Sequence, residues 1–236
     1  MRINYALVGS NNDPMYLDFW PIISKVWKTI FNITPVLGLI TDGDEEITND
    51  EYGIIIKLNR IDGYSDGLLS QLVRMYLPKY LNGNCIISDI DMIPLSKKYF
   101  IDDLKDYNDD DFIIMSSHHP QTVNTNQYPM CYVTGNDLIF KKIFNLSDDW
   151  KTFISKIPNQ GWYTDQCHLY NMVNQNHNIK YQFPRRSGDF TNDRIDRSSW
   201  GYDINHLKND GYVDCHSLRP YFSYKNEIDS LIQHLS

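Results

Sequence analysis

No stretch of this 236-residue chain comes near eighteen consecutive apolar residues, so no membrane-spanning helix is expected. The first residues form a short strand-like run, Ile3 to Val8. They lack the charged lead and long apolar core of a signal peptide, so a cytoplasmic location is expected. Cysteine is scarce: Cys85, Cys131, Cys167 and Cys215 stand far apart with no Cys-x-x-Cys pair, which argues for reduced thiols and against a zinc cluster. Basic residues are outnumbered, 22 Lys and Arg against 30 Asp and Glu, and form no stripe. A net charge of -8 makes DNA or RNA an improbable partner, although a diphosphate can be held where a metal or one or two arginines neutralise it. Repeats and low-complexity linkers are missing too. The length fits one domain, residues 1–236, and 42% hydrophobic with 14% aromatic residues is enough for a packed core.

What is present is an alternation of short apolar runs and turn clusters of Asn, Asp and Gly. Tyr5–Val8 reads as a first strand, followed by a polar loop from Gly9 to Pro14. Leu17, Trp20, Ile23, Trp27 and Ile30 recur at helical spacing, with Pro21 marking the start of the regular part. Val36–Ile40 and Tyr52–Leu58 read as strands. Ser65 and Asp66 are plausible caps for a helix with Leu68, Leu69, Leu72 and Tyr76 on one face, which should weaken before Pro78. Further strands are expected at Cys85–Ser88, Asp111–Met115 and within Met130–Phe140. Helices are expected at Asp148–Ile157, Thr164–Asn174 and Glu227–Leu235. Strand–helix alternation over the first half implies a largely parallel sheet covered on both faces.

The apolar run Cys85–Ser88 ends in Asp89-Ile90-Asp91. If the strand continues, its alternation points both carboxylates the same way. Two adjacent anions call for a cation between them, and Mg²⁺ or Mn²⁺ bound by carboxylates commonly shares its ligands with substrate phosphates. Asp102-Asp103 and Asp109-Asp110-Asp111, by contrast, read as solvated loop charges. Ligands of open parallel sheets bind at the carboxyl ends of strands, which puts the loop after Val8 and the acidic pair on one edge, as a nucleotide-like pocket requires.

Five blocks, in order, carry a resemblance: Arg74–Leu81, Ser88–Met92, Cys131–Phe140, Trp162–Gln166 and Val213–Tyr221. Together they resemble glycosyltransferases of the GT-A fold, and within them the retaining group that includes glycogenin and bacterial lipooligosaccharide galactosyltransferases. The resemblance implies an α/β fold of GT-A type: a Rossmann-like, mostly parallel sheet with helices on both faces. It is a single domain, with residues 1–100 as a nucleotide-binding half and 101–236 as a donor-sugar and acceptor half. It implies Asp89, Asp91 and His216 as ligands of Mn²⁺ (or Mg²⁺). Gly9, Ser10, Asn11 and Ser88 are implied at the nucleotide, and Arg219 at its diphosphate. Gly135 and Asn136 would lie beside the donor sugar, Arg74 near that sugar and the acidic pair, Asp165 on its hydroxyls and Gln166 near its anomeric carbon. Local alternatives stay open: Gly135 as a strand bend, Thr164 or Asp165 as a helix cap. The chain departs from the pattern at Val133, where the family carries asparagine, and in the short spacing from His216 to Arg219.

The reaction so implied moves a sugar from a nucleotide donor, by analogy a UDP-sugar, to a glycan, protein or lipid-linked acceptor. Retention is favoured; an inverting enzyme would need a base such as Asp137 or Asp165. His118-His119 follow a strand end and could touch an acceptor, while Arg185-Arg186 and Trp200-Gly201-Tyr202 fall where acceptors of the family bind, the aromatic residues there serving either to stack on a sugar or as core. A haloacid-type phosphatase also uses Asp-x-Asp, but on its first strand with Thr or Val two residues on, where this chain has Ile93 after three earlier strands. A non-catalytic sugar- or nucleotide-binding protein is the other alternative.

Overall fold

A computed structural model describes residues 1–116, 126–182 and 193–235; His118, His119, Arg185 and Arg186 fall outside them. The first strand, β1 (Tyr5–Asn11), runs three residues past the expected Val8, so the polar loop begins only at Asn12. Two short helices follow, α1 (Pro14–Leu17) and α2 (Trp20–Lys25) with Pro21 in its first turn, and α2 widens into a π-helical turn over Val26–Ile30. Then come β2 (Thr34–Thr41), an unforeseen edge strand β3 (Glu46–Asn49), and β4 (Ile54–Asn59). The helix α3 (Asp66–Tyr76) is capped by the Ser65 hydroxyl, which accepts from the Leu68 amide at 3.3 Å. It tightens into a 3₁₀ turn at Leu77–Tyr80, where Pro78 removes a helical donor.

The strand β5 (Asn84–Ile87) is shorter than its apolar run, and β6 (Met92–Pro94) starts a new direction. Between them Asp89, Ile90 and Asp91 form a turn, with the Met92 amide donating to the Asp89 carbonyl at 3.2 Å. The two carboxylates are therefore brought together by a turn, and strand alternation is not what orients them. β7 (Asp111–Ile114) matches expectation, but Asp111 is buried rather than solvated, its carboxylate accepting from Lys180 and the Asn108 amide. β8 (Val133–Asn136) stops early: the Asn136 side chain accepts from the Leu138 amide at 3.0 Å and starts α4 (Asp137–Phe144), so Leu138–Phe140 are helical. The chain continues through α5 (Trp150–Ser155), α6 (Thr164–Gln175), β9 (Lys180–Gln182), β10 (Arg194–Asp196), α7 (Ile204–Lys208), β11 (Asp214–His216) and α8 (Lys225–Gln233).

Eight strands form one sheet in the order β3-β4-β2-β1-β5-β8-β7-β9. β4, β2, β1 and β5 are mutually parallel, whereas β8 runs antiparallel to both β5 and β7. Alternation sorts the core of this single α/β domain. Ala6 and Val8 pack with Trp20, Ile23, Trp27 and Ile228 of α2, the π turn and α8, while Leu7 packs on the other face with residues of α3, α4, α5 and α6. A second, three-stranded sheet, β10-β11-β6, is not among the expected elements. Among the described residues no helix is long and apolar enough to cross a membrane.

Candidate active site

A cavity of about 460 Å³ opens at the carboxyl ends of β1 and β5. Its placement starts with two glycines. Gly9 of β1 lies beside Gly38 of β2, and both face α3. A β-carbon on Gly9 would meet the Ser70 carbonyl oxygen at 2.1 Å, and one on Gly38 the Val73 side chain at 2.6 Å. The bare backbone lets α3 settle onto the sheet, and α3 carries Arg74 into the cavity. Gly9 was expected in a nucleotide-holding loop; its position shows a close-packing role in a strand as well.

Arg74 is only 4% exposed and is shared between two carboxylates. Its guanidinium donates to Asp89 Oδ1, to Asp165 Oδ2 at 2.8 Å, and to the Ser88 carbonyl at 3.2 Å. One cation thus ties the turn after β5 to the first turn of α6. Burial pushes the Asp165 carboxyl up to about 6; Arg74 beside it pulls the other way and the Asp89 charge adds to the rise. Burial works against the Arg74 charge, but Asp89 and Asp165 more than offset it. Asp165 is not the cap of α6; that position is Tyr163, which makes no side-chain capping bond, and the Thr164 hydroxyl instead binds the loop before it.

The small sheet assembles the other wall. His216 of β11 pairs in register with Met92, the residue after Asp91, and on its other side with Asp196 of β10. His216 Nδ1 lies 3.0 Å from Asp196 Oδ2, and Nε2 lies 3.7 Å from Asp91 Oδ2. Burial opposes the Asp196 charge, yet the Ser198 hydroxyl and amide and His216 hold its carboxyl at about 2. Arg197 Nη1 donates to Asp91 Oδ2 at 2.9 Å. Arg219 Nη1 donates to the Tyr16 hydroxyl at 2.6 Å, sits over that ring, and lies 3.6 Å from the same Asp91 oxygen. Arg194 makes a two-pronged pair with fully buried Asp214.

Of the expected site residues, Gly9, Ser10, Asn11, Arg74, Asp89, Asp91, Asp165, Gln166, His216 and Arg219 all line this cavity. Ser88 lies just beneath it, its buried hydroxyl donating to the Asp89 carbonyl at 3.2 Å. Gly135 and Asn136 are elsewhere. Because β8 is antiparallel to β5, Gly135 sits opposite Cys85 and Asn136 opposite Asn84, at the strand end away from Asp89. A β-carbon on Gly135 would touch Phe112 at 3.0 Å, so that glycine serves packing, and Asn136 serves as the α4 cap. Sequence reasoning missed Arg197, Asp196 and Tyr16. For Asp196 the available signal was the Arg-x-Asp alternation of β10, matched in register by Asp-x-His of β11, whereas no local pattern marked Arg197 or Tyr16.

No family model matches the chain, and no curated protein matches it in sequence. Among solved structures, a glycosyltransferase involved in the glycosylation of the major capsid of PBCV-1 superposes over 97% of this chain and 99% of that one, with a TM-score of 0.53 and 8% identity. The chain shares its fold with that glycosyltransferase. The glycosyltransferase GlyE of Streptococcus pneumoniae TIGR4 overlaps less, with a TM-score of 0.41 and 10% identity over 78% of this chain and 45% of that one.

Adjacent carboxylates beside arginines that can meet phosphate form a setting in which a divalent cation binds. Among the described residues no three His, Cys, Asp or Glu side chains converge tightly enough to enclose an ion by themselves. Asp89 is paired with Arg74 and Asp91 with Arg197. What remains does fit. Asp91 and the Nε2 face of His216 offer an adjacent oxygen and nitrogen donor, and the carboxylate of Asp196 on Nδ1 orients the ring as carboxylates do for metal-binding histidines. Phosphate oxygens would complete such a shell.

Proposed function

We propose that this chain is a glycosyltransferase that moves a sugar from a nucleotide-sugar donor, by family analogy a UDP-sugar, to an acceptor hydroxyl with the help of Mn²⁺ or Mg²⁺. One observation carries this reading: in a glycosyltransferase fold, at the carboxyl edge of the sheet, buried Arg74 binds Asp89 and Asp165 across the floor of a cavity whose wall holds Asp91, His216 and Arg219. Such a floor suits a reaction that separates charge, because fixed dipoles and cations aimed at a departing diphosphate need no reorganisation as it leaves.

Ser10 and Asn11 at the end of β1 and the Tyr16 ring would hold the nucleoside. Arg219, fixed against Tyr16, would meet the diphosphate. Asp91 and His216, with Asp89 at the turn, would hold the cation, which when bound neutralises leaving-group charge. Asp165 and Gln166 would orient the donor sugar. Residues 1–100 supply the nucleotide strand and acidic turn, and residues 101–236 supply the sugar contacts while returning His216 and Arg219 to the nucleotide end. Trp162 lines the cavity and is 67% exposed, which supports a glycan acceptor stacking its sugar face on the indole.

Retention is favoured by the state of the carboxylates. Among the described residues lining the cavity, Asp13 caps α1, Arg74 holds Asp89 and Asp165, and Arg197 holds Asp91. Asp137 is at the far edge, paired with Lys141 at 2.6 Å. Among the described residues lining the cavity no carboxylate stands free as a base. The same engagement of Asp89 argues against a phosphatase that attacks through its first aspartate.

The test is a thermal-shift series with UDP, GDP and nucleotide sugars, with Mn²⁺ or with chelator, on the parent and Asp91→Ala. The expected result is a rise with UDP and Mn²⁺ that chelator removes and the variant lacks. An equal rise in Asp91→Ala, or one indifferent to chelator, refutes the metal-bound diphosphate.

A further inference from the structure

We infer that Arg197 is a nucleotide-operated latch on Asp91: it holds that carboxylate while no diphosphate is bound, and releases it to a divalent cation when one arrives. This rests on the nucleotide-sugar reading of the cavity. Asp91 Oδ2 accepts from Arg197 Nη1 at 2.9 Å, with Arg219 Nη1 at 3.6 Å and His216 Nε2 at 3.7 Å from the same oxygen. A cation bonded to that oxygen would sit roughly 2.0–2.6 Å from it. A cation between that oxygen and His216 Nε2 would therefore stand close to the guanidinium, and their like charges repel at close range in a partly buried setting.

Several features make Arg197 the partner that moves. The Asp91 side chain is 9% exposed and that of Arg197 is 25% exposed. Ser217 donates its amide to the Asp91 carbonyl at 2.9 Å, fixing the acidic turn from behind. Arg197 projects from a single 3₁₀ turn, Arg197–Ser199, and borders both the main cavity and an adjoining open groove beside Met15 and Tyr224. Arg219 is held against Tyr16 and cannot play this part without losing that contact. A diphosphate offers Arg197 a better acceptor than one shared carboxylate oxygen, since guanidinium binds phosphate with two parallel hydrogen bonds.

A coupling follows. Nucleotide draws the guanidinium off Asp91 and so raises cation affinity, and by linkage the cation raises nucleotide affinity by the same factor. Removing the charge at 197 should break that coupling with opposite signs: bare cation binds better, nucleotide binds worse.

The experiment follows free Mn²⁺ by its EPR signal during titration of parent, Arg197→Gln and Arg197→Lys protein, with and without saturating UDP. For the parent, UDP should tighten Mn²⁺ binding on the order of tenfold or more, within the usual range of coupling between sites. Arg197→Gln should bind Mn²⁺ alone on the order of tenfold tighter than the parent and gain little from UDP. Arg197→Lys, which keeps a charge, should retain part of the gain. The latch is refuted if the parent binds Mn²⁺ equally well with and without UDP. It is also refuted if Arg197→Gln matches the parent in both affinities. If UDP neither binds nor stabilises the parent, the nucleotide reading itself falls and takes the latch with it, whereas UDP binding with unchanged Mn²⁺ affinities removes the latch alone.

Discussion

Asp165 shows how one side chain can be read from a motif and yet behave unexpectedly in place. Its position beside Gln166 marked it as a sugar contact; only the fold reveals that it is 3% exposed and bonded to Arg74. Burial lifts its carboxyl from the ordinary 3.8 to about 6. The folded state then takes up a proton that the unfolded state does not hold between those values. The contribution of Asp165 to stability is thus full below about pH 4 and is lost as pH rises through 6. Urea unfolding of the parent and Asp165→Asn from pH 4 to 7 should show the parent's relative stability growing as pH falls. A pH-independent difference between the two proteins would contradict the assigned burial. Arg197 and Asp196 escaped notice for a related reason: a charged residue in a short polar segment carries no sign of which distant partner it meets, and Arg197 and Asp91 are 106 residues apart.

Among the elements, α3 was almost fully legible. Ser65 as a cap, the Leu68, Leu69, Leu72 and Tyr76 face and the stop at Pro78 are local effects, and they set Asp66–Tyr76 as observed. Its seating was not legible, because it depends on Gly9 and Gly38 lying side by side in adjacent strands. Gly9→Ala would press a methyl against the backbone carbonyl of Ser70, whereas Gly38→Ala meets only the Val73 and Leu77 side chains. Overpacking of this kind costs about 1–3 kcal/mol. Gly9→Ala should fall at the upper end of that range in denaturant unfolding and Gly38→Ala lower. Gly9→Ala should also weaken UDP binding, since Arg74 rides on the displaced helix. Equal costs for the two would mean that α3 can slide freely. The strand around Gly135 failed in the opposite way: its existence was right, but its direction was set by pairing with β5, and direction decided which end met the cavity.

For the whole molecule, the surprise is charge placed against the average. A chain of net charge -8 gathers Arg74, Arg194, Arg197 and Arg219 around one cavity, where they balance carboxylates that would otherwise be costly to bury. The cavity is graded as well, from a buried ionic floor at Arg74 and Asp165 to an exposed aromatic rim. Trp20, Trp27 and Trp150 are buried and Trp200 is half-buried, but Trp162 stands open at that rim on a loop fastened by Asn159, Gly161 and Thr164. Gly161, at φ +72°, supplies the left-handed turn that presents it. Trp162→Ala should raise the KM for glycoside acceptors about tenfold or more, as loss of a 1.4 kcal/mol contact does, with UDP affinity unchanged. Trp162→Phe should retain most of the binding. A Trp162→Ala enzyme with the parent's acceptor KM would move the acceptor elsewhere.

The amino-acid order by itself determined the α/β alternation, the extents of α3, α5, α6 and α8 to within a few residues, and a set of aspartates, an arginine and a histidine that the fold brings to one cavity. Those properties follow from periods of two and 3.6 residues and from caps and prolines that act within a few positions. Tertiary structure decided the antiparallel course of β8, the small sheet that joins Asp91 to His216 and Asp196, and the arginine set against each carboxylate. Those contacts span scores of residues, and they are selected by the burial of whole faces and the pairing of buried charges, which no local pattern encodes.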